Sequence, residues 1–314
     1  MSARRPFRSA RLPVSSILFT GLTGAATALI LTLLAVVLGN ILYNGLPHVS
    51  WRFIAGSTDQ DMFNTERAGV LPMVIGTATK VILMTLFVVP VGVITAVYLT
   101  EYARTTSLLT RFIRGAVNNL AGVPSIVFGL FGLGFFVHFL GRNLDALLRP
   151  GDASPLWGQP AILWASLTLA VMTLPVVIVA TEEALRAIPQ GLREGSLALG
   201  ATKLQTIVRI VLPQALPGIL TGGILAVGRA AGEVAPILMT GAAYYMASLP
   251  KSPTDQFMDL AYHVFILASQ SPNIDQTRPI LYATVIVLLL LTFTLNIVAI
   301  LVRARMRQNM RLLQ

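Results

Sequence analysis

The chain has 314 residues, of which 55% are hydrophobic and only 11% charged, whereas a soluble domain carries about a quarter charged residues; this balance excludes an ordinary soluble globular protein. There is no cysteine, and His48, His138 and His263 are scattered, which excludes a disulfide framework and a thiolate metal site and leaves no ligand set for zinc or haem. The net charge of +10 would suit a nucleic-acid binder unless the placement of the charges accounts for it.

Six long apolar stretches run at about 15–43, 69–100, 111–141, 159–181, 212–242 and 279–302. Each reaches the roughly 20 helical residues that cross a bilayer. The expected fold is an all-α membrane protein with six transmembrane helices. The first stretch follows Arg4, Arg5, Arg8 and Arg11, the order of a secretion signal. It is much longer than the roughly 7–15 apolar residues of such a signal, and no clear small-residue cleavage site follows it. It is read as a retained helix. The loop near 44–68 carries Trp51, Arg52, Phe53, Asp59 and Asp61. Lys80 lies deep in the second stretch, where a charge is costly. It either snorkels outward to the headgroups or adds a positive charge to an anion path.

The cytoplasmic loop at 182–213 follows the fourth stretch. Pro189 should break the helix before it. Residues 191–199 then read as a short amphipathic helix, with Leu192, Leu197 and Leu199 apolar and Arg193 and Glu194 charged. Gly200 suits a helix stop, and Thr202 opens the next segment. Such a helix offers a small knob to a cytosolic partner; otherwise it is a connector lying in the headgroups.

The fifth stretch contains Gly228-Arg229-Ala230-Ala231-Gly232-Glu233-Val234-Ala235-Pro236. Arg229 and Glu233 are four apart and share one helix face. At 1.5 Å per residue, Arg229 lies about 24 Å along a helix counted from Pro213. A charge at that depth costs at least about 2.5–3.5 kcal/mol unless it faces a cavity or a partner. The two residues form a structural ion pair, or Arg229 faces a wet pathway and attracts an anion; both hold if the pair closes an empty gate. A guanidinium fork fits two oxyanion oxygens. Glu233 would restrain it and accept a hydrogen bond from a protonated phosphate, which sulfate at neutral pH cannot donate. Gly218, Gly222, Gly228 and Gly232 form two small-xxx-small pairs that permit close helix approach, including across a subunit interface. Pro213, Pro217 and Pro236 would bend or break the helix. The polar loop near 243–278, with Asp255 and Asp259, is expected outside.

Orientation follows from the loops. One side holds Arg4, Arg5, Arg8, Arg11, Arg104, Arg111, Arg114, Arg186, Arg193, Lys203, Arg209, Arg303, Arg305, Arg307 and Arg311; the other holds Arg52, Arg67, Arg142, Arg149, Lys251 and Arg278. The excess places both termini in the cytoplasm and removes any need for nucleic acid. No G-x-x-x-x-G-K-[ST] phosphate loop occurs. No catalytic constellation stands out either, so an enzyme reading has little support. Any energy for transport must come from a partner or an ion gradient.

Here the residues resemble a known family. Glu194, Gly200, Ile210, Leu212 and Pro213 fall at the positions of the EAA motif of importer permeases of the ATP-binding-cassette class. Gly195 and Ser196 stand where that motif has two alanines, keeping both side chains small. Ala96-Val97-Tyr98-Leu99-Thr100-Glu101-Tyr102-Ala103, the run Leu120-Ala121-Gly122-Val123-Pro124-Ser125, Thr181 to Pro189, and Gly228 to Pro236 are similar to the phosphate-specific transport permeases. The short N-terminal region, the Tyr-Leu-Thr-Glu-Tyr run and Ser252-Pro253-Thr254 place the resemblance nearer the PstA than the PstC branch.

The resemblance implies a MetI-like permease core over 69–303, with the coupling loop at 182–213. A basic cytoplasmic N-terminus (1–14), a first helix with its external loop (15–68) and a basic tail (304–314) would flank that core. It implies that Glu194, Gly195, Ser196, Leu197, Ala198, Leu199, Gly200, Ala201 and Thr202 dock an ATPase subunit, and that Arg229 and Glu233 line the path. Lys80 is outside the family pattern. The implied partners are a sister permease (PstC), two ATPase subunits (PstB) that bind ATP and magnesium, an extracytoplasmic phosphate-binding protein (PstS), and membrane lipid. The chain itself would hold no cofactor. The expected function is inorganic phosphate import by alternating access. The alternatives are a permease for another oxyanion or small solute and an ion-coupled secondary transporter; the lack of an inverted repeat and the loop at 194–213 count against the latter.

Overall fold

A computed structural model describes residues 14–57, 63, 68–104, 106–152, 154–246 and 248–311. Arg4, Arg5, Arg8, Arg11, Asp59, Asp61 and Arg67 lie outside the described residues. The helices are α1 (Val14–Gly45), α2 (Trp51–Ala55), α3 (Leu71–Val97), α4 (Leu108–Ala121), α5 (Ser125–Phe131), α6 (Arg142–Leu148) and α7 (Ile162–Arg186). They continue with α8 (Gln190–Ala198), α9 (Lys203–Thr206), α10 (Leu212–Ala231), α11 (Ala235–Thr240), α12 (Leu260–Ser269) and α13 (Ile274–Arg311). Wider π-type winding extends α3 through Tyr98–Tyr102, joins α5 to α6 through Gly132–Gly141, and joins α9 to α10 through Ile207–Val211. Among the described residues six helical segments are long and apolar enough to span a membrane: Ser16–His48, Leu71–Tyr102, Ser125–Leu148, Ile162–Arg186, Lys203–Ala231 and Ile274–Met306.

α7 is the central post. It is apolar nearly all round, the pattern of a helix enclosed on every side, and it packs against α3, α10, α4 and α11. Its Ala165, Leu169, Ala170, Met172 and Val177 join Val81, Met84 and Val88 of α3 and Ala226, Val227, Ala230 and Ala231 of α10 in one buried cluster. Two glycines set the approach of α10: a Cβ at Gly218 would lie 2.4 Å from Ala184 Cβ, and one at Gly222 would lie 2.8 Å from Ala180 Cβ. These two small residues therefore serve contact within the chain, not the subunit interface allowed for above. By contrast α1 is exposed along nearly all its length and meets α13, with Gly45 seated on Tyr282 and Ile286.

The third apolar stretch is not one helix, and the fifth breaks near Pro236, where its prolines were expected to bend or break it. The third divides at Gly122-Val123-Pro124, and the span is Ser125–Leu148 rather than 111–141. Pro124 is extended, with ψ 140°, and the residue before a proline is pushed out of the helical region. α4 before the break is amphipathic, carrying Arg111, Arg114, Asn118 and Asn119. The fifth stretch begins earlier, at Lys203, because Thr202 and Gln205 form a reciprocal capping box. It stops at Ala231, since Pro236 occupies the first turn of α11 and cannot continue a helix from upstream. Pro213 is carried without a break; the widened turn Ile207–Val211 just before it absorbs its missing N–H.

The loop near 243–278, read as polar, carries a buried stretch in its middle. Phe257, Met258, Asp259 and Leu260 are buried. The carbonyls of Thr240, Asp255 and Pro253 accept from the amides of Ala161, Ile162 and Leu163 at 2.9, 2.8 and 3.0 Å. The first amides of a helix lack partners within it, so this segment caps α7 and cannot leave it cheaply.

Candidate substrate path and coupling surface

Arg229 falls in the last turn of α10, where the partial negative charge of the helix end favours a cation. The Gly222–Ala180 contact sets its depth. Seven residues further along α10, opposite an antiparallel α7, places Arg229 about 16 Å below the start of α7 at Ile162. That is close to the middle of a hydrocarbon layer about 30 Å thick. Its Nε donates to Glu233 Oε1 at 3.3 Å. No other hydrogen bond of this guanidinium occurs among the described residues, and its side chain is 43% exposed against 22% for Glu233. The pair sits where α10 stops and α11 has not begun, beside Gly232, where an added Cβ would meet nothing within 4 Å beyond its chain neighbours and its own helix backbone. An apolar cavity of about 530 Å³, lined by α3, α10 and α13 residues such as Val89, Gly223 and Leu295, opens on a different face of α10 and includes neither charge.

Lys80 is elsewhere. Its side chain is fully buried and its Nζ lies 2.6 Å from Asp259 Oδ2, so it does not snorkel to the headgroups. Asp259 Oδ2 also accepts from Thr77 Oγ1 at 2.8 Å, while Oδ1 accepts from the amides of Ala261 and Tyr262, capping α12. Gly76 makes room for this, since a Cβ there would lie 2.0 Å from the Met258 carbonyl oxygen. Asp259 was missed as Lys80's partner. An Asp just before an apolar helix is a legible cap, but its pairing with a lysine far back in the chain is not.

The loop at 182–213 folds close to its reading. α8 runs Gln190–Ala198, and Gly200 takes φ +84°. The Gly200 amide donates to Leu197 O at 3.0 Å and the Ala201 amide to Ser196 O at 3.2 Å, the bonding of a Schellman stop. Glu194, Gly195, Leu197, Ala198, Leu199 and Gly200 are exposed, as is Leu192. Leu199 reaches 91% exposure, so the apolar side of α8 has no cover within the chain. Ser196 turns inward to Thr206, with 2.9 Å between the hydroxyl oxygens. Arg193 also turns inward. Its Nε and Nη2 donate to Glu101 Oε1 at 3.3 and 3.0 Å, Nη1 donates to Ile188 O at 2.6 Å, and Nη2 donates to Leu185 O at 2.7 Å. Beside it Glu182 accepts from Arg114 and Arg186, both at 2.8 Å, and Arg114 Nη2 donates to Leu99 O at 3.0 Å. The sequence places Arg193 on the amphipathic helix and Glu101 at the end of the second stretch, but nothing in either pattern pairs them.

Residues 88–308 match the family model described as "Binding-protein-dependent transport system inner membrane component". The chain is 34% identical over 223 residues to a Bacillus subtilis protein named "Probable ABC transporter permease protein YqgI", covering 71% of this chain and 69% of that one. It is 40% identical over 171 residues to "Phosphate transport system permease protein PstA 1" of Mycobacterium tuberculosis, covering 54% of this chain and half of that one. Among solved structures, a bacterial ABC transporter involved in import of the acidic polysaccharide alginate superposes with a TM-score of 0.64 at 15% identity, over 92% of this chain and 95% of that one; it shares the fold. With the family model covering all but the first helices, the chain belongs to the family of binding-protein-dependent transport system inner membrane components.

Proposed function

We propose that the chain forms half of the membrane channel of an ATP-driven importer of inorganic phosphate. The observation that carries this is the Arg229–Glu233 pair: a half-exposed guanidinium near mid-membrane, held at Nε by one carboxylate, with neither Nη group hydrogen-bonded among the described residues. Two parallel N–H donors suit an oxyanion. A carboxylate alongside repels a fully ionised anion but accepts from the hydroxyl of a protonated phosphate, which gives preference over sulfate. The PstA name of one relative supports the same substrate. Lys80, enclosed against Asp259, is assigned to structure and not to the path.

In this reading both termini are cytoplasmic, and a second permease completes the pathway. Two ATPase subunits bind ATP and magnesium and engage the exposed side of α8. An extracytoplasmic binding protein delivers phosphate to the outer mouth. Closure of the ATPase pair moves α8, the permeases expose the Arg229 site outward, and hydrolysis returns it inward. The chain itself supplies positioning and charge.

Phosphate uptake by the reconstituted complex carrying Arg229→Gln tests the reading. Losing a charge-assisted hydrogen bond is worth about 1.5–3 kcal/mol, so uptake should fall about 10- to 100-fold while the complex assembles and hydrolyses ATP. Normal uptake by that variant would remove Arg229 from the path. Glu233→Gln should narrow the preference for phosphate over sulfate; an unchanged ratio would leave the carboxylate a restraint only.

A further inference from the structure

We infer that Arg193 is the positioning residue that locks α8 to the membrane helices, so that a push on α8 reaches the inner ends of α3 and α7 together. This inference rests on the proposed docking of an ATPase on α8. Along that helix the side chains face outward apart from Arg193 and Ser196. Arg193 is 15% exposed and Glu101 is 11% exposed, so their contact is largely shielded from water and salt.

The guanidinium spends its fork on two different helices. Glu101 belongs to the last turn of the second span, and Leu185 and Ile188 close the fourth. The last carbonyls of a helix have no partners within it and carry partial negative charge. A cation seated there is held by the helix end as well as by a carboxylate. Lysine could not reproduce this, because its compact head cannot present a planar fork to three acceptors. Lys203 adds to the same joint: its Nζ donates to the Glu101 carbonyl and lies 4.8 Å from the centre of the Tyr102 ring. Without Arg193, α8 keeps its chain connection through Pro189 and the Ser196–Thr206 contact. It could then swing without moving α3. The clamp also explains the Tyr-Leu-Thr-Glu-Tyr run: the widened winding of Tyr98–Tyr102 places Glu101 under Arg193.

Arg193 touches neither phosphate nor nucleotide in this scheme. Its signature is therefore the ratio of phosphate moved to ATP hydrolysed, which a residue needed only for assembly would leave alone. In proteoliposomes holding the complete complex, Arg193→Ala should lower that ratio about tenfold or more while hydrolysis persists. Arg193→Lys should lie between this and the parent. Glu101→Gln keeps the two carbonyl contacts and should also lower the ratio, which keeps the test open if Arg193→Ala does not assemble. An unchanged ratio in assembled Arg193→Ala or Glu101→Gln would overturn the inference, as would uptake and hydrolysis falling in equal proportion. Failure of the parent chain to retain any ATPase would overturn the docking reading first, and this inference with it.

Discussion

Two ion pairs sit at similar depth in this molecule and are built in opposite ways. Lys80 lies about 14 Å along α3 from Leu71, and Arg229 lies at a comparable level on α10. Lys80 and Asp259 are joined across 179 positions of sequence and are wholly enclosed. Arg229 and Glu233 are four apart on one local segment and stand open. The carboxylate of the first pair is saturated by a hydroxyl and two helix amides. The guanidinium of the second makes a single hydrogen bond among the described residues. A charge in an apolar stretch is thus no sign of a pathway by itself. What separates a rivet from a site here is enclosure: the Lys80–Asp259 pair has no exposure, while the Arg229–Glu233 pair is open to a third group.

The sharpest way to break this contrast is to remove one partner of each pair. Lys80→Met leaves Asp259 buried without its counter-charge, and breaking a buried pair from one side costs about 3–5 kcal/mol. The purified permease should unfold at clearly lower temperature, or fail to accumulate. Adding Asp259→Asn, which still caps α12, should restore part of the loss; no recovery would mean that the lysine acts through packing. Arg229→Gln opens a half-exposed pair worth at most about 1 kcal/mol. Its melting temperature should stay close to that of the parent while uptake falls. If both variants lose stability equally, the two pairs are alike and the contrast fails.

Packing offers a smaller test. Gly218→Val forces side-chain atoms into Ala184, and overpacking costs about 1–3 kcal/mol. Loss of stability in the isolated subunit would show that the glycine serves contact with α7. Loss that appears only in the assembled complex would return it to the subunit interface.

The apolar stretches made six spans legible, because bilayer thickness dictates their length. The α8 knob and its stop at Gly200 were legible too, since caps are local. The interruptions were harder. Pro124 and Pro236 announce a break, but the flanking residues are apolar enough to read as one run. Least legible were the contacts that decide what a charge does. Lys80 with Asp259, Glu101 with Arg193 and Arg114 with Glu182 each join residues distant in sequence. Their partners depend on which helices are neighbours, and no period in one helix carries that information. Arg229 and Glu233 could be paired from spacing alone because four positions keep them within reach, even though α10 stops at Ala231 before Glu233.

The finest test uses the chain's lack of cysteine, which makes a single introduced thiol the only one in this subunit. Gly232 is exposed and lies in sequence between the two charges of the open pair, and a Cβ added there has open space around it. Gly232→Cys should therefore react with water-soluble thiol reagents in the assembled complex, whereas Thr173→Cys, at a position with no exposure, should not. The charge of the reagent reports on Arg229. A guanidinium a few ångströms away in a wet cleft changes the energy of a passing ion by about 1 kcal/mol. An anionic reagent should then react a few-fold faster than a cationic one, and Arg229→Gln should abolish that bias. A bias that survives Arg229→Gln would assign the attraction to other charges in the assembly. No reaction at all would mean that a second subunit seals the opening, and the Arg229–Glu233 pair would then be a rivet like Lys80–Asp259.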